Sequence, residues 1–394
     1  MNEAALAARS GAGGRSGAEA PEIVIVGGGF AGCAAAIALA GEGRKVVLIE
    51  SSPTIPDLFR AEKLAGDQLP LLEELGLLDD FKAASTPVEE FVNIRGRHIV
   101  DISRQLQLNM LYRDMIEVLR KRMPAQVAIR YDRVEDIATG EDTQRVTLAG
   151  GETIEPRLVV LATGHGEALR RKLGLQRVRA HAQQTISVAF TLTPPAGGGF
   201  RFQSLTAYGE RQGDRVDYIS LFPIGANMRA NLFLFSDIED RRLKAIDVRG
   251  MPALFELLPG LRPWIGDCGW VGDFASFPVE LCKVENVVRP GLVVIGDAFR
   301  TSCPAVGTGL SCALVDVVCL RERVGHWFGT PGMGAEKIGA FYGAPRKMAR
   351  DFSTHALAFK RRSAVTGESQ AGEFRQAAYY LARGLRDRLR RFAS

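Results

Sequence analysis

Apolar residues run unbroken at 23–26 (IVIV), at 46–49 (VVLI) and at 292–295 (LVVI). Short continuous runs of this kind predict strands covered on both faces, as in a parallel sheet packed between layers. Between the first two lies a small-residue stretch, 34–40, that predicts a helix. Further along, "LLEELGLLDD" and "YRDMIEVLRKRM" carry apolar residues at steps of three and four, the pattern of helices with one buried face. A different rhythm follows. "TISVAFTLTP", "FQSLTAYGE", "VDYISLFPIG" and "RANLFLFSD" are alternating runs broken by Pro and Gly, which predict a sheet; "VEEFVNIRGRHIVDIS" adds two edge strands. Two rhythms in one chain predict an α/β protein in which a Rossmann-like layer carries a second, mixed or antiparallel sheet.

The last rhythm lies at the C-terminus. Phe374, Ala378, Leu381, Leu385, Leu389 and Phe392 fall on one helical stripe, and Arg375, Arg383, Arg386, Arg388, Arg390 and Arg391 crowd the remaining surface. Gly384 in mid-pattern weakens such a helix by roughly 1 kcal/mol. The stripe fits a helix lying at an anionic membrane face, and equally one packed on the body of the protein or on a second subunit of a homodimer.

Composition narrows the picture. The chain has 394 residues, 46% hydrophobic and 24% charged, ordinary for a globular protein with a large core. Residues 1–20, rich in Ala, Gly and Ser, lack an apolar signal core and read as a disordered leader. Residues 341–394 hold twelve Lys/Arg against four Asp/Glu, in a chain whose net charge is only +5, so the rest is slightly acidic. That speaks against nucleic-acid binding by the main body. Six cysteines form no Cys-x-x-Cys pair and five histidines show no ligand spacing, so no metal site is expected, and a reducing, cytoplasmic setting is the default.

Candidate chemistry begins at the first strand. Gly27, Gly29 and Gly32 form G-x-G-x-x-G between a strand and a helix, and Glu50 ends the next strand. The first glycine permits a tight turn, the second lets backbone approach a pyrophosphate, and the third lets helix and strand pack closely. The helix start favours phosphate, and an acid at the second strand's end can accept from both ribose hydroxyls. Far downstream, the strand at 292–295 ends in Gly296-Asp297, and a loop with Pro304, Gly307, Thr308 and Gly309 opens a helix near Leu310. An acid there can bind a ribityl hydroxyl, and backbone N–H groups at a helix start can face an electron-rich ring. A simple NAD dehydrogenase has no need of this second element.

Together these motifs resemble the FAD-dependent aromatic hydroxylases, the single-component flavoprotein monooxygenases of the para-hydroxybenzoate and ubiquinone-biosynthesis type. Gly296, Asp297, Ala298, Pro304, Gly307, Gly309 and Asp316 match the family's Gly-Asp-Ala and Pro-x-x-Gly-x-Gly pattern, and the resemblance spans about 21–324. Two positions depart from it. Arg300 stands where the family usually has His, and Thr163 replaces the acid of the middle motif, where Gly164 and Arg170 match. Losing that acid bears on the nicotinamide more than on FAD. The resemblance implies FAD contacts from Arg60 and Arg113, and a discontinuous FAD-binding domain (about 21–85, 105–178 and 268–330). A substrate-binding sheet domain (about 86–104 and 179–267) is inserted in it, and a basic helical region follows at 331–394.

The resemblance further implies NAD(P)H as a transient co-substrate, O2, and hydroxylation of an aromatic or prenylated, lipophilic small molecule through a flavin C4a-hydroperoxide. Arg300 and Pro304 are the candidates beside the ring; for Arg300 the alternative is an ion pair with a neighbouring helix. Tyr208, Tyr218, Phe222 and Pro223 are either cavity-lining or ordinary sheet residues. A prenyl-lipid reductase and a non-catalytic flavin-binding redox sensor are the alternatives; a flavin halogenase lacks support because no Trp-x-Trp occurs.

Overall fold

A computed structural model describes residues 20–60 and 62–367. The arginine-rich stripe at 374–392 and most of the leader lie outside the described residues.

The first layer is a five-stranded parallel sheet. Leu292–Val294, Leu158–Leu161, Ile23–Val26, Val46–Glu50 and Ala128–Tyr131 lie side by side in that order. Alternate residues serve opposite faces. Ile23, Ile25, Leu48, Leu158, Val160 and Val293 pack under helices, among them Phe30–Gly41, Tyr112–Lys121 and Gly309–Phe328. Val24, Val26, Ile49, Val159, Leu161 and Val294 meet a small three-stranded meander, Val134–Ala138, Arg145–Leu148 and Thr153–Ile154. Both faces are covered, which explains the unbroken apolar runs. The amphipathic stretch after Arg60 is two helices, Gln68–Glu74 and Leu78–Ala84, because Gly76 between them adopts φ +67°.

The second layer is an eight-stranded mixed sheet. Its order is Gly269–Glu285, Gln176–Thr193, Asn227–Leu234, Val216–Ile224, Ser204–Tyr208, Thr86–Arg95, His98–Asn109 and Lys63–Ala65. The hairpin at 86–109 is therefore not an edge pair. Thr86–Arg95 is interior, running parallel to Ser204–Tyr208, and the edges are Gly269–Glu285 and Lys63–Ala65. Both edge strands lie in stretches that the sequence-based boundaries gave to the FAD-binding part; backbone pairing draws them into the sheet instead.

One face of this sheet is apolar. Ile186, Val188, Phe190, Leu205, Ile219, Leu221, Ala230 and Leu232 pack on residues of Arg241–Arg249 and Met251–Leu257, and Phe190 stacks on Trp270 with ring centroids 3.9 Å apart. The opposite face carries Thr185, Ser187, Thr191, Tyr218, Ser220, Arg229 and Asn231, several of which bond to the first layer (below). Two further helices, Ala335–Tyr342 and Pro345–Thr366, close the described chain. Among the described residues no helix is long and apolar enough to cross a membrane.

Candidate functional site

At the glycine turn, backbone leaves no room for side chains. Gly27 has φ +108°, and a Cβ there would stand 2.5 Å from the Ala162 carbonyl oxygen; at Gly32 it would stand 1.9 Å from the Gly27 oxygen. Gly29 differs. Its φ is −75°, and its added Cβ would meet only the Tyr112 hydroxyl, at 3.3 Å. Gly27 and Gly32 thus let helix and strand close on each other, while Gly29 keeps the front of the turn open. Glu50 sits beneath it. One carboxylate oxygen accepts the Gly28 N–H at 2.6 Å, and the other accepts from the Ser51 hydroxyl at 2.8 Å and the Ser52 N–H at 3.2 Å. Burial pushes the Cys33 thiol, which donates to the Gly28 carbonyl, up to about 12, so it is a protonated packing group.

The second motif has the same economy of space. Gly296 takes φ +60° and donates its N–H to Asp316 at 2.9 Å. Asp316 is buried and pairs with buried Lys347, which also lies 3.6 Å from Asp351. Arg300 belongs to the same network: it donates to the Asp351 carbonyl at 2.5 Å, lies 3.5 Å from that carboxylate, and is 7% exposed. The geometry around Arg300 is that of an ion pair with helix Pro345–Thr366. Pro304 begins a short 3-10 turn, Gly307 takes φ +71°, and Thr308 precedes the helix Gly309–Phe328 without a side-chain cap, Leu310 turning into the core. The Thr308 hydroxyl is buried with no hydrogen-bond partner.

Arg60 joins the two motifs. Its guanidinium lies 3.2 Å from Asp297, 237 residues away, and His165 reaches the same carboxylate oxygen at 3.5 Å. Burial lowers the His165 pKa against the raising effect of Asp297, which favours neutral imidazole at neutral pH. The Arg60 guanidinium also lies over the Tyr112 ring, and the Tyr112 hydroxyl accepts the N–H of Phe30, the first residue of the glycine-turn helix. In the middle motif Gly164 takes φ +57°, Arg170 ties the loop by donating to the carbonyls of His165 and Gly166, and the Thr163 hydroxyl is buried without a partner. Arg113 is exposed and pairs with Asp114 at 3.8 Å.

The polar face of the large sheet forms a roof over this assembly. Tyr218 donates to the Ala305 carbonyl at 2.8 Å, and Thr185 meets Cys303 at 3.0 Å. From below, Gln68 donates to the Gly307 carbonyl at 2.9 Å and to Ser311. The Pro304–Gly309 loop is thus gripped from both layers. Beside it, Glu62 accepts from Arg229 in contacts of 2.7 to 3.0 Å, and Lys63 donates to Ser220 at 2.8 Å. Sequence reasoning missed Tyr112, Glu62, Lys63, Gln68 and Lys347. For Tyr112 a signal existed. It shares the i, i+3, i+4, i+7 face of Met115, Ile116 and Leu119, whereas Arg113 falls off that face. The others depend on contacts between distant segments.

This arrangement fits a dinucleotide with a flavin. Gly29 leaves the approach that a pyrophosphate needs, Glu50 stands at the second strand's end, and Thr308 offers an unpartnered hydroxyl at the helix start of the second motif. Among the described residues no cluster suited to a metal ion occurs.

Comparison with known proteins agrees. Residues 22–194 match the family model "Lycopene cyclase protein". The chain is 25% identical to 3-demethoxyubiquinol 3-hydroxylase of Escherichia coli, over 92% of this chain and 98% of that protein. It is 27% identical to 6-hydroxy-3-succinoylpyridine 3-monooxygenase of Pseudomonas putida, over 76% and 78%. In fold it matches the crystal structure of p-nitrophenol 4-monooxygenase from Pseudomonas putida with a TM-score of 0.72 and 19% identity, covering 92% of this chain and 93% of that one. The two glycine motifs agree with these similarities to a ubiquinol-type hydroxylase and a pyridine-type monooxygenase, and the solved structure shares the layered α/β fold.

Proposed function

We propose that the protein is a monooxygenase that uses FAD, NAD(P)H and O2 to hydroxylate an aromatic or prenylated, lipophilic small molecule. The observation that carries this reading is the joining of two cofactor half-sites through Arg60 and Asp297 under a polar-faced sheet. Gly27–Phe30 and Glu50 would hold the adenosine diphosphate half. Asp297 and residues 307–310 would hold the flavin half. Arg60, in direct contact with Asp297, and Gly164 would stand at the cofactor's edge, whereas Arg113, exposed and paired with Asp114, would reach it only from the surface. When bound, FAD supplies the electron storage and oxygen chemistry that side chains lack. The protein's own work is positional. The helix start at Thr308–Leu310 directs N–H groups and a positive helix end toward its ligand. Tyr218 fastens the Pro304–Gly309 loop to the roof and Gln68 fastens it to the first layer, an arrangement that would help keep water from a bound ring. Arg300, anchored by Asp351, supports the loop behind Pro304.

Two measurements test the reading. Purified protein should be yellow and release FAD on denaturation, and Gly29→Val, which fills the open approach, should be folded and colourless. NAD(P)H oxidation should then rise with a panel of phenols and prenylated quinone precursors, with O2 uptake and product heavier by one oxygen. Alkene saturation without O2 uptake would mark a reductase instead. The arginine-rich stripe at 374–392 supports docking at a membrane face. Co-sedimentation of full-length protein with anionic vesicles at low salt, lost on ending the chain near Thr366, tests that.

A further inference from the structure

Helix Pro345–Thr366 runs along the second cofactor motif and touches it at each inward turn. Lys347 holds Asp316, Asp351 holds Arg300, the Thr354 hydroxyl lies 3.3 Å from the Cys312 thiol, and Ala358 packs with Cys303 and Ala305. These residues step by four and three along one helix face. The next on that face, Arg361, reaches past the motif to the roof. Its Nε donates to both carboxylate oxygens of Asp217 at 2.8 Å, and its guanidinium lies 4.9 Å from the centre of the Tyr218 ring.

The roof is shaped to receive it. Neighbouring residues of a strand point to opposite faces, so Asp217 and Tyr218 would not ordinarily meet one side chain. Here the pairing of Val216–Ile224 with Asn227–Leu234 slips. Val216 stands opposite Leu234 and Tyr218 opposite Phe233, with Asp217 the extra residue. Such a bulge re-aims a side chain, and both residues address Arg361. The adjoining chain makes room at Gly209, where a Cβ would stand 2.0 Å from the Val216 carbonyl oxygen. Asp217 is 4% exposed, so its charge depends on the guanidinium beside it.

Tyr218 is in turn the roof's hold on the cofactor loop. Its ring contacts the Arg361 guanidinium and the Phe233 ring, the two ring centroids 4.9 Å apart, and such contacts restrict its rotation. Its hydroxyl donates to the Ala305 carbonyl at 2.8 Å. Burial pushes the phenol's pKa up, so the hydroxyl keeps the proton that it donates. Ala305 sits in the turn Pro304–Val306, just ahead of the helix start at Thr308.

We infer that Arg361 is a positioning residue for the cofactor loop: acting through Tyr218, it fixes the Ala305 carbonyl and with it the helix start that would face the flavin. The flavin's part in this rests on the monooxygenase reading; the relay from Arg361 to the loop does not. A plain pin between helix and sheet would affect stability and leave the loop alone.

The test reads backbone hydrogen exchange across 303–309 in the full-length protein by mass spectrometry, beside FAD affinity and thermal melting. The Val306 and Gly307 N–H groups, bonded to the Cys303 and Pro304 carbonyls, report opening of the loop. Arg361→Met should speed their exchange and weaken FAD binding, each about three- to tenfold, the range set by one hydrogen bond. Arg361→Lys, which keeps a cation beside Asp217 and Tyr218, should restore most of both. Because Arg361→Met strands a buried carboxylate and can prevent folding, Asp217→Asn combined with Arg361→Gln is the second variant. It leaves no stranded charge, so melting should return near wild type while loop exchange stays fast; a plain pin would restore both. Tyr218→Phe should act on the loop as Arg361→Met does, and the two together should do no more than either alone. The inference is overturned if loop exchange is unchanged in the Arg361 variants, if it recovers along with melting in the paired variant, or if the effects of Tyr218→Phe and Arg361→Met add. A loop effect in protein that binds no FAD strikes the monooxygenase reading alone, and flavin-loaded protein with an unchanged loop strikes the positioning role alone.

Discussion

Lys347→Met is the most informative single perturbation of the cofactor scaffold. Lys347 lies in helix Pro345–Thr366, is 1% exposed, and pairs with Asp316, itself 2% exposed. The remaining Asp316 oxygen accepts the Gly296 N–H at 2.9 Å, which fixes the turn that presents Asp297. Removing the ammonium leaves a buried carboxylate with a single N–H donor. Breaking a buried pair on one side costs about 3–5 kcal/mol, roughly a fifth or more of a typical stability of about 5–15 kcal/mol. Replacing both partners, Asp316→Asn with Lys347→Met, should cost less than the single change, because the amide oxygen still accepts from Gly296 and no charge is stranded. The deficit should also depend on pH. Burial already raises the Asp316 pKa, and without its partner the carboxyl is raised further. A group raised in the folded state contributes stability at acid pH and loses it as pH rises. The single variant should therefore approach wild type below about pH 4 and fall away toward neutrality. Urea unfolding across that range, with released flavin fluorescence as the second signal, measures both effects. Equal midpoints for wild type and Lys347→Met at neutral pH would refute the argument, as would a double variant no better than the single.

Other expectations follow from the same geometry. Tyr112→Phe removes the hydroxyl that accepts the Phe30 N–H and can donate its own hydrogen bond to a phosphate; FAD titration should show roughly tenfold weaker binding. Thr163→Val removes a buried hydroxyl that has no partner, so thermal melting should be unchanged or higher by about 1 kcal/mol of stability. Cys33, Cys282, Cys303, Cys312 and Cys319 are buried and Cys268 is not, so a thiol reagent should modify native protein at Cys268 alone, as peptide mass mapping would show.

Local chemistry was readable in the sequence wherever one segment sufficed. Gly27 and Gly32 are dictated by backbone that passes within a Cβ's reach, and Gly296 and Gly307 by left-handed turns, so their spacing alone announces them. The alternating strands were legible for the same reason, since one face is apolar. What pattern could not supply was the partner of each strand. Thr86–Arg95 reads the same whether it lies at an edge or inside, and only its pairing with Ser204–Tyr208 decides. Lys63 and Lys347 look like surface lysines in a linear reading. Their burial arises from segments 157 and 31 residues distant.

The contact between Arg60 and Asp297, across 237 residues, bears on how the protein is made. A growing chain carries its glycine turn long before the strand at 292–294, so half of the cofactor cradle is missing until that strand has joined the edge of the parallel sheet beside Leu158–Leu161. Closing so long a loop is slow and costs entropy before any ligand can reward it. Tight retention of FAD is thus withheld until assembly is complete, and free FAD then draws the finished fold out of the pool of partly folded chains by mass action. In cells short of riboflavin, the amount of this protein should fall along with its colour.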